Sequence, residues 1–199
     1  MNLARIFNIS ENIENFLTDT DVLSEYETLL LRHGISILLQ DGSEMISALI
    51  LGSLMHRTAE TLIFLICFCT LRVHAGGFHA RTPAGCYCGF MALFLAVLGF
   101  CSIRIPFCIS GILSILSALY IVFRAPAEHP LNPLTPDQKA SAGRSAFYLT
   151  SFSLICEAVL ICLHSAYVNP ITAALLLNCI LMILLQYPAL LKGRKDAGQ

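Results

Sequence analysis

Apolar runs of about twenty residues are the feature of this sequence that most limits the fold it can adopt. The chain has 199 residues, of which 56% are hydrophobic and only 13% are charged, and its mean hydropathy is +0.73. A helix of about 20 apolar residues spans the hydrocarbon core of a bilayer. The sequence therefore predicts an all-α fold, a polytopic bundle of membrane helices.

The runs differ in strength. Four approach or reach the required length, and they cover residues 86–103, 105–124, 145–165 and 170–191. Two others, 35–55 and 58–71, are weaker, because the first contains Asp41 and Glu44 and the second is short and contains Glu60. The first has the apolar spacing of a partly amphipathic helix. We expect about six membrane segments, four of them long and two short or partly amphipathic.

The basic residues predict how these segments are oriented. With six spans and both termini inside, ten of the twelve Lys and Arg residues lie in the cytoplasm, and only Arg57 and Arg104 lie outside. Such a bias is typical of cytoplasmic loops. We therefore expect a multi-pass protein of the cell membrane. Its predicted parts are an acidic amphipathic region 1–34, a membrane-embedded domain 35–191 with cytoplasmic loops 72–85 and 124–144, and a basic tail 192–199.

One polar, glycine-rich segment separates two apolar runs. It reads Arg72-Val-His-Ala-Gly-Gly-Phe-His-Ala-Arg-Thr-Pro-Ala-Gly-Cys86. Thr82 is a favourable N-cap and Pro83 a favourable first helical residue, so a helix is predicted to begin here. Cys86 then lies in the first helical turn, where the helix dipole favours the thiolate. The sequence predicts a reactive thiol at the cytoplasmic surface.

His79 is the candidate base for this thiol. In one unbroken helix, the two side chains would lie about 10 Å apart, too far for proton transfer. On an incoming loop, however, His79 can fold back over Cys86 and the pair can perform nucleophilic acyl transfer. Candidate donors to an oxyanion are the N–H groups of Gly76, Gly77, Gly85 and Cys86.

The string Arg72-x3-Gly76-Gly77-Phe78-His79-Ala80-x5-Cys86 resembles the signature of the accessory gene regulator protein B (AgrB) family of membrane peptidases. The later segment 125–130 resembles the second cytoplasmic loop of that family, although Leu131-Asn132-Pro133 stands where many members have Asn-Lys-Pro. The resemblance implies a cysteine endopeptidase that cuts the precursor of a cyclic autoinducing peptide in quorum sensing.

By the same resemblance, His79 is the catalytic base, Cys86 is the nucleophile, and Arg72 and Gly77 have supporting roles. It also implies an AgrD-like precursor as substrate and a homodimer in the membrane. Glu128 could orient His79, but the third catalytic residue stays open. No cofactor or metal is expected.

Several alternatives remain at this stage. Arg72 and Arg81 could hold carboxylates of a peptide substrate, or could serve as interfacial residues whose charges reach toward water. Zinc could bind to His74, His79, Cys86 and Cys88, although their spacing lacks a paired-ligand pattern. A small transporter or channel could use the polar residues within the spans, namely Glu60, Glu157, His164, Asn178 and Gln186. Nucleic acid is not an expected partner, since phosphate binding needs clustered Lys and Arg on one face and a net charge of −1 gives no reason to expect it.

Overall fold

A computed structural model describes residues 25–76, 82–127 and 135–196. Within these ranges the chain forms six helices and no strand. They are α1 (Glu25–Leu54), α2 (Thr58–Ala75), α3 (Pro83–Ser102), α4 (Phe107–Arg124), α5 (Pro136–Cys162) and α6 (Val168–Asp196).

The predicted class is confirmed. Five of the described helices, α2 to α6, are long and apolar enough to cross a membrane. The exception is α1, which contains the weak run 35–55 and does not meet that standard. Its Asp41 and Glu44 lower the hydropathy of the segment. The structure is therefore a polytopic helical bundle with five candidate spans and one more polar helix.

Several helices extend beyond the apolar runs that predict them. The helix after Arg57 continues to Ala75, and the loop expected at 124–144 is helical from Pro136 onward. The Thr135 side chain accepts a hydrogen bond from the Gln138 backbone, and the Gln138 side chain accepts one from the Thr135 backbone. This capping box satisfies the first N–H groups of α5 and starts the helix among polar residues.

The central helix of the bundle is α6, which contacts α2, α3, α4 and α5. In its candidate span, 67% of the residues are buried inside the protein, compared with 17–33% in the other four spans. Small side chains such as Ala173 and Ala174 allow neighbouring helices to approach closely, as is common between membrane helices. The outer helices turn most of their residues away from the protein interior.

A stack of four phenylalanines joins α2 to α3. Phe64 and Phe68 stack along α2 with ring centroids 5.3 Å apart, and each lies 6.0 Å from a ring of α3, Phe94 and Phe90 respectively. Such aromatic pairs add about 0.5–1.5 kcal/mol each beyond the area they bury. The stack fixes the level of α2 relative to α3.

Polar groups within the spans bond to neighbouring helices. The Glu157 carboxylate of α5 accepts hydrogen bonds from Ser114 of α4 at 2.7 Å and from Thr172 of α6 at 2.8 Å. Asn178 donates to the Phe68 carbonyl of α2 at 3.3 Å, and Gln186 accepts from Tyr120 at 3.0 Å. These contacts connect helices in the way expected of polar residues in lipid, so each of these groups has a structural use in the bundle.

The contact between α1 and α2 gives a first prediction. A Cβ added at Gly52 would overlap the side chain of Thr61, which is fully buried and hydrogen-bonded to the Arg57 carbonyl at 2.9 Å. Thr61 is β-branched and cannot easily rotate away. We expect Gly52→Ala to destabilise the protein by about 1–3 kcal/mol through overpacking, measured as a lower unfolding temperature in detergent.

Gly99→Ala is the matched control, because nothing lies within 4 Å of a Cβ at that helical position. It gains the same intrinsic helix propensity without the clash. Equal unfolding temperatures for the two variants would contradict the close contact between α1 and α2.

Candidate active site

Helix α3 begins where the sequence predicts. Thr82 is the N-cap with an extended backbone, Pro83 occupies the first turn, and the Thr82 hydroxyl accepts a hydrogen bond from the Gly85 N–H at 3.1 Å. Cys86 closes the turn, since its N–H donates to the Thr82 carbonyl at 3.0 Å. The predicted position of the thiol in the first turn of a helix is confirmed.

The phenylalanine stack places Arg72 and Cys86 at the same level. Phe68 precedes Arg72 by one helical turn on α2, and Phe90 follows Cys86 by one turn on α3. Because the rings of Phe68 and Phe90 are 6.0 Å apart, the next turn of each helix is also adjacent. The guanidinium of Arg72 lies within electrostatic range of Cys86.

A third helix contributes to the site. Glu44 of α1 is only 7% exposed, and its carboxylate accepts a hydrogen bond from Gln40 at 3.2 Å. The same carboxylate lies close enough to the Cys86 side chain to interact with it. Next to this contact, Tyr87 of α3 donates to Ser47 of α1 at 2.8 Å. The two contacts hold α1 against the first turn of α3, with a carboxylate beside the sulfur.

The electrostatics of the site combine opposite effects. Burial raises the pKa of the Glu44 carboxyl above its usual value, whereas its interactions with Gln40 and Cys86 and the charge of Arg72 act in the opposite direction. Glu44 belongs to α1 and lies outside the five candidate spans. Asp41 adds a second negative charge beside Glu44, and the positive charge of Arg72 partly balances these two carboxylates.

Gly76 connects this site to the segment after α4. Its backbone has φ 74° and ψ −171°, a conformation essentially restricted to glycine. The Arg72 guanidinium donates to the Gly76 carbonyl at 3.4 Å, and the Ala127 N–H donates to the Ala75 carbonyl at 2.8 Å. The second long loop therefore starts beside the end of α2, as expected for two loops on one face.

Three of the candidate oxyanion donors already have partners. The N–H of Gly76 donates to the Arg72 carbonyl at 3.1 Å, that of Gly85 donates to the Thr82 hydroxyl, and that of Cys86 donates to the Thr82 carbonyl. A backbone N–H used within the protein is a poor donor to a developing oxyanion, because the existing bond must first be broken. Gly77 is the candidate that lies outside the described residues.

Other predicted site residues also lie outside the described residues, namely His79, Arg81 and Glu128. Their roles stay predictions. Of the two thiols in this part of the chain, Cys86 is half-buried and Cys88 is exposed. In the described part of the chain, no three His, Cys, Asp or Glu side chains are grouped so that they could hold a metal ion. Glu44 is the residue near Cys86 that the sequence does not single out, and its signal is one of two carboxylates within a mostly apolar run.

The fold and this site define a polytopic helical membrane protein with a thiol at the start of one helix and polar partners on two others. The family model for accessory gene regulator B matches residues 10–185. The chain belongs to this family, as its Arg, Gly-Gly, His and Cys motif predicts. No curated protein and no solved structure gives a significant match.

The geometry at Gly76 gives a second prediction. A Cβ at this position would lie 2.5 Å from the Ala127 carbonyl oxygen, and the positive φ disfavours any other residue. We expect Gly76→Ala to destabilise the protein by about 1–3 kcal/mol and to separate the end of α2 from Ala127. Thermal unfolding in detergent measures the first effect. Disulfide trapping between cysteines introduced at Ala75 and Ala127 measures the second.

Gly89→Ala serves as the control, because a Cβ there meets nothing within 4 Å. Trapping that is as efficient in Gly76→Ala as in the control would contradict the pairing of the two segments.

Proposed function

We propose that this protein is a membrane cysteine endopeptidase that cleaves an AgrD-like precursor and allows its cyclisation. The family match is consistent with a role in the processing of autoinducing peptides. The main structural support is the position of Cys86, a half-buried thiol in the first turn of α3 with Arg72 in electrostatic range. Both the helix dipole and a nearby cation stabilise a thiolate.

In the first step, the Cys86 thiolate attacks the carbonyl carbon of the peptide bond on the C-terminal side of the future signal. The carbon–nitrogen bond breaks, and His79 gives a proton to the departing amine. The products are a thioester between the truncated peptide and Cys86 and a released C-terminal fragment. Gly77 is the proposed oxyanion donor, since the N–H groups of Gly76, Gly85 and Cys86 are bonded within the protein.

In the second step, a Cys thiol of the acyl fragment gives its proton to His79 and attacks the thioester. The bond from the acyl carbon to Cys86 breaks as the new carbon–sulfur bond forms, and a thiolactone results. A Ser hydroxyl would give a lactone in the same way. No ATP is needed, because the thioester retains the activation of the acyl group.

The membrane has a direct role in this proposal. The active site faces the cytoplasm, where thiols stay reduced, and an amphipathic leader of the precursor lies on the inner lipid surface.

The segment that begins at Ala125 forms one wall of the site, since Ala127 pairs with Ala75. Arg81 holds an acidic group of the substrate, Glu128 orients His79, and the enzyme acts as a homodimer.

The choice of nucleophile gives a third prediction. Cys86→Ala should abolish both cleavage and cyclisation, because no sulfur remains to form the thioester. Cys88→Ala, the matched control two residues away, should stay active. The measurement is mass spectrometry after co-expression with a candidate precursor, to detect the cleaved cyclic product and the acylated enzyme. An inactive Cys88 variant beside an active Cys86 variant would show that the other thiol is the nucleophile.

The proposed acid and base gives a fourth prediction. His79→Ala should reduce cleavage by about 10²–10⁴-fold, the usual contribution of a positioned proton-transfer group. His74→Ala is the control, since His74 lies in the last turn of α2 and has no proposed role. The rates of precursor loss in membranes containing equal amounts of each variant measure the effect. Equal rates for both variants would exclude His79 from the chemistry.

A further inference from the structure

The carboxylate of Glu44 is in contact with the sulfur that the proposed mechanism uses, yet that mechanism gives it no role. Glu44 lies 42 residues before Cys86, on a helix that also holds the first turn of α3 through Ser47 and Tyr87. It is 7% exposed and interacts with the Cys86 side chain, next to the 2.8 Å hydrogen bond that joins Tyr87 to Ser47. The contact is therefore built by tertiary packing.

A carboxylate at this position has a cost. Burial of a charged group is unfavourable unless it is paired or hydrogen-bonded, and a negative charge beside a thiol also opposes the formation of a thiolate. Packing alone is better served by an apolar side chain of similar size. The contacts from Gln40 and Cys86, together with the charge of Arg72, offset this cost only in part.

We infer that Glu44 is a further catalytic residue of the cysteine site, whose carboxylate accepts the thiol proton of Cys86 and returns it when the sulfur leaves the acyl group. This inference rests on the proposed peptidase function. It divides the proton transfers between two residues: Glu44 accepts and returns the proton of the enzyme thiol, and His79 serves the nitrogen and sulfur of the substrate.

The protons balance over the cycle. Before the reaction, Glu44 is ionised, Cys86 is a thiol and His79 is protonated. During acylation the thiol proton moves to Glu44, the sulfur attacks, and His79 protonates the departing amine. During ring closure the proton of the substrate thiol moves to His79. The Cys86 thiolate leaves the acyl carbon and recovers its proton from Glu44. Each residue then has its initial charge.

The charged surroundings suit a proton shared between these two groups. Movement of the proton from Cys86 to Glu44 leaves the net charge of the pair at minus one, and the Arg72 guanidinium of α2 faces that charge in both states. Within the described part of the chain, Asp41 of α1 and Cys69 of α2 also lie in electrostatic range. Burial raises the pKa of the Glu44 carboxyl, which brings its proton affinity closer to that of a thiol.

The test measures two rates in Glu44→Gln, the alkylation of Cys86 and the cleavage of the precursor. If Glu44 accepts the thiol proton, the first rate should rise and the second should fall. The first is the rate of Cys86 alkylation by iodoacetamide as a function of pH, followed on the Cys86 peptide by mass spectrometry. Removal of the adjacent negative charge should lower the midpoint of that profile by about one pH unit, a tenfold change in thiolate fraction. Since a more acidic thiolate is less nucleophilic, alkylation below the midpoint should become about threefold faster.

The second readout is precursor cleavage, which should fall by about 10²-fold or more in the same variant because the proton acceptor is lost. Faster alkylation with slower cleavage is not expected of a residue with only a structural role. An unchanged alkylation profile, or cleavage at the rate of the unsubstituted protein, would overturn the inference.

Asp41→Asn is the matched control, since it removes the same charge from an exposed position one turn away on α1. Its alkylation midpoint should shift less than that of Glu44→Gln, and an equal shift would mean that general electrostatics replace the specific contact. If Glu44→Gln does not fold, Glu44→Asp retracts the carboxylate by one methylene. Slower cleavage then supports the inference, and an unchanged rate contradicts it.

These outcomes are separable from failure of the proposed function. If Cys86→Ala still processes the precursor, the peptidase mechanism at this thiol is wrong, whatever Glu44 does. If Cys86→Ala is inactive while Glu44→Gln behaves like the unsubstituted protein in both readouts, the peptidase stands and the role of Glu44 is refuted.

Discussion

The aromatic stack between α2 and α3 is the contact on which the arrangement of the site depends. Cys86 begins one helix and Arg72 ends the preceding one, so a slide of one helix by a single turn would move the groups apart by about 5 Å. The rings of Phe68 and Phe90, 6.0 Å apart, are one turn inside the bundle from each of them. The two ring pairs between the helices are tilted at 39°, and aromatic pairs have preferred geometries that simple apolar contact does not provide. The apolar interior thus sets the register of a polar site at its edge.

A second constraint comes from the polar groups within the bundle. In lipid, burial of apolar surface does not distinguish one helix partner from another, so close packing and hydrogen bonds between helices decide which helices associate. The Ser114–Glu157–Thr172 contact joins α4, α5 and α6 at 2.7 and 2.8 Å, and Asn178 joins α6 to α2 at 3.3 Å. These bonds place α6 at the centre of the bundle. Helix α1 takes part in none of them and packs against α2 and α3, where Glu44 lies near the start of α3.

The sequence predicts the features that short-range chemistry decides. The spans follow from apolar length, and the start of α3 follows from Thr82 and Pro83, because an N-cap acts on residues next to it. The start of α5 has the same kind of signal in Thr135 and Pro136. The segment before it contains Pro126, Pro130 and Pro133, however, and four prolines within eleven residues together favour a loop. The contact of Glu44 with Cys86 could not be predicted, since it depends on how α1 packs against α3 across 42 residues of chain. In the sequence, that carboxylate only weakens an apolar run.

The opposing charges beside Cys86 suit the proposed mechanism, in which the sulfur must first attack and later leave. Attack requires a thiolate of adequate nucleophilicity, and departure is faster for a thiol that is a weaker base. A cation alone, such as Arg72, would stabilise the thiolate throughout and so favour departure at the expense of attack. A carboxylate alone would keep the sulfur protonated. With both beside one sulfur, the charge of the site changes little as the proton moves, so neither step of the proposed exchange requires the creation of a new unpaired charge at the edge of the membrane.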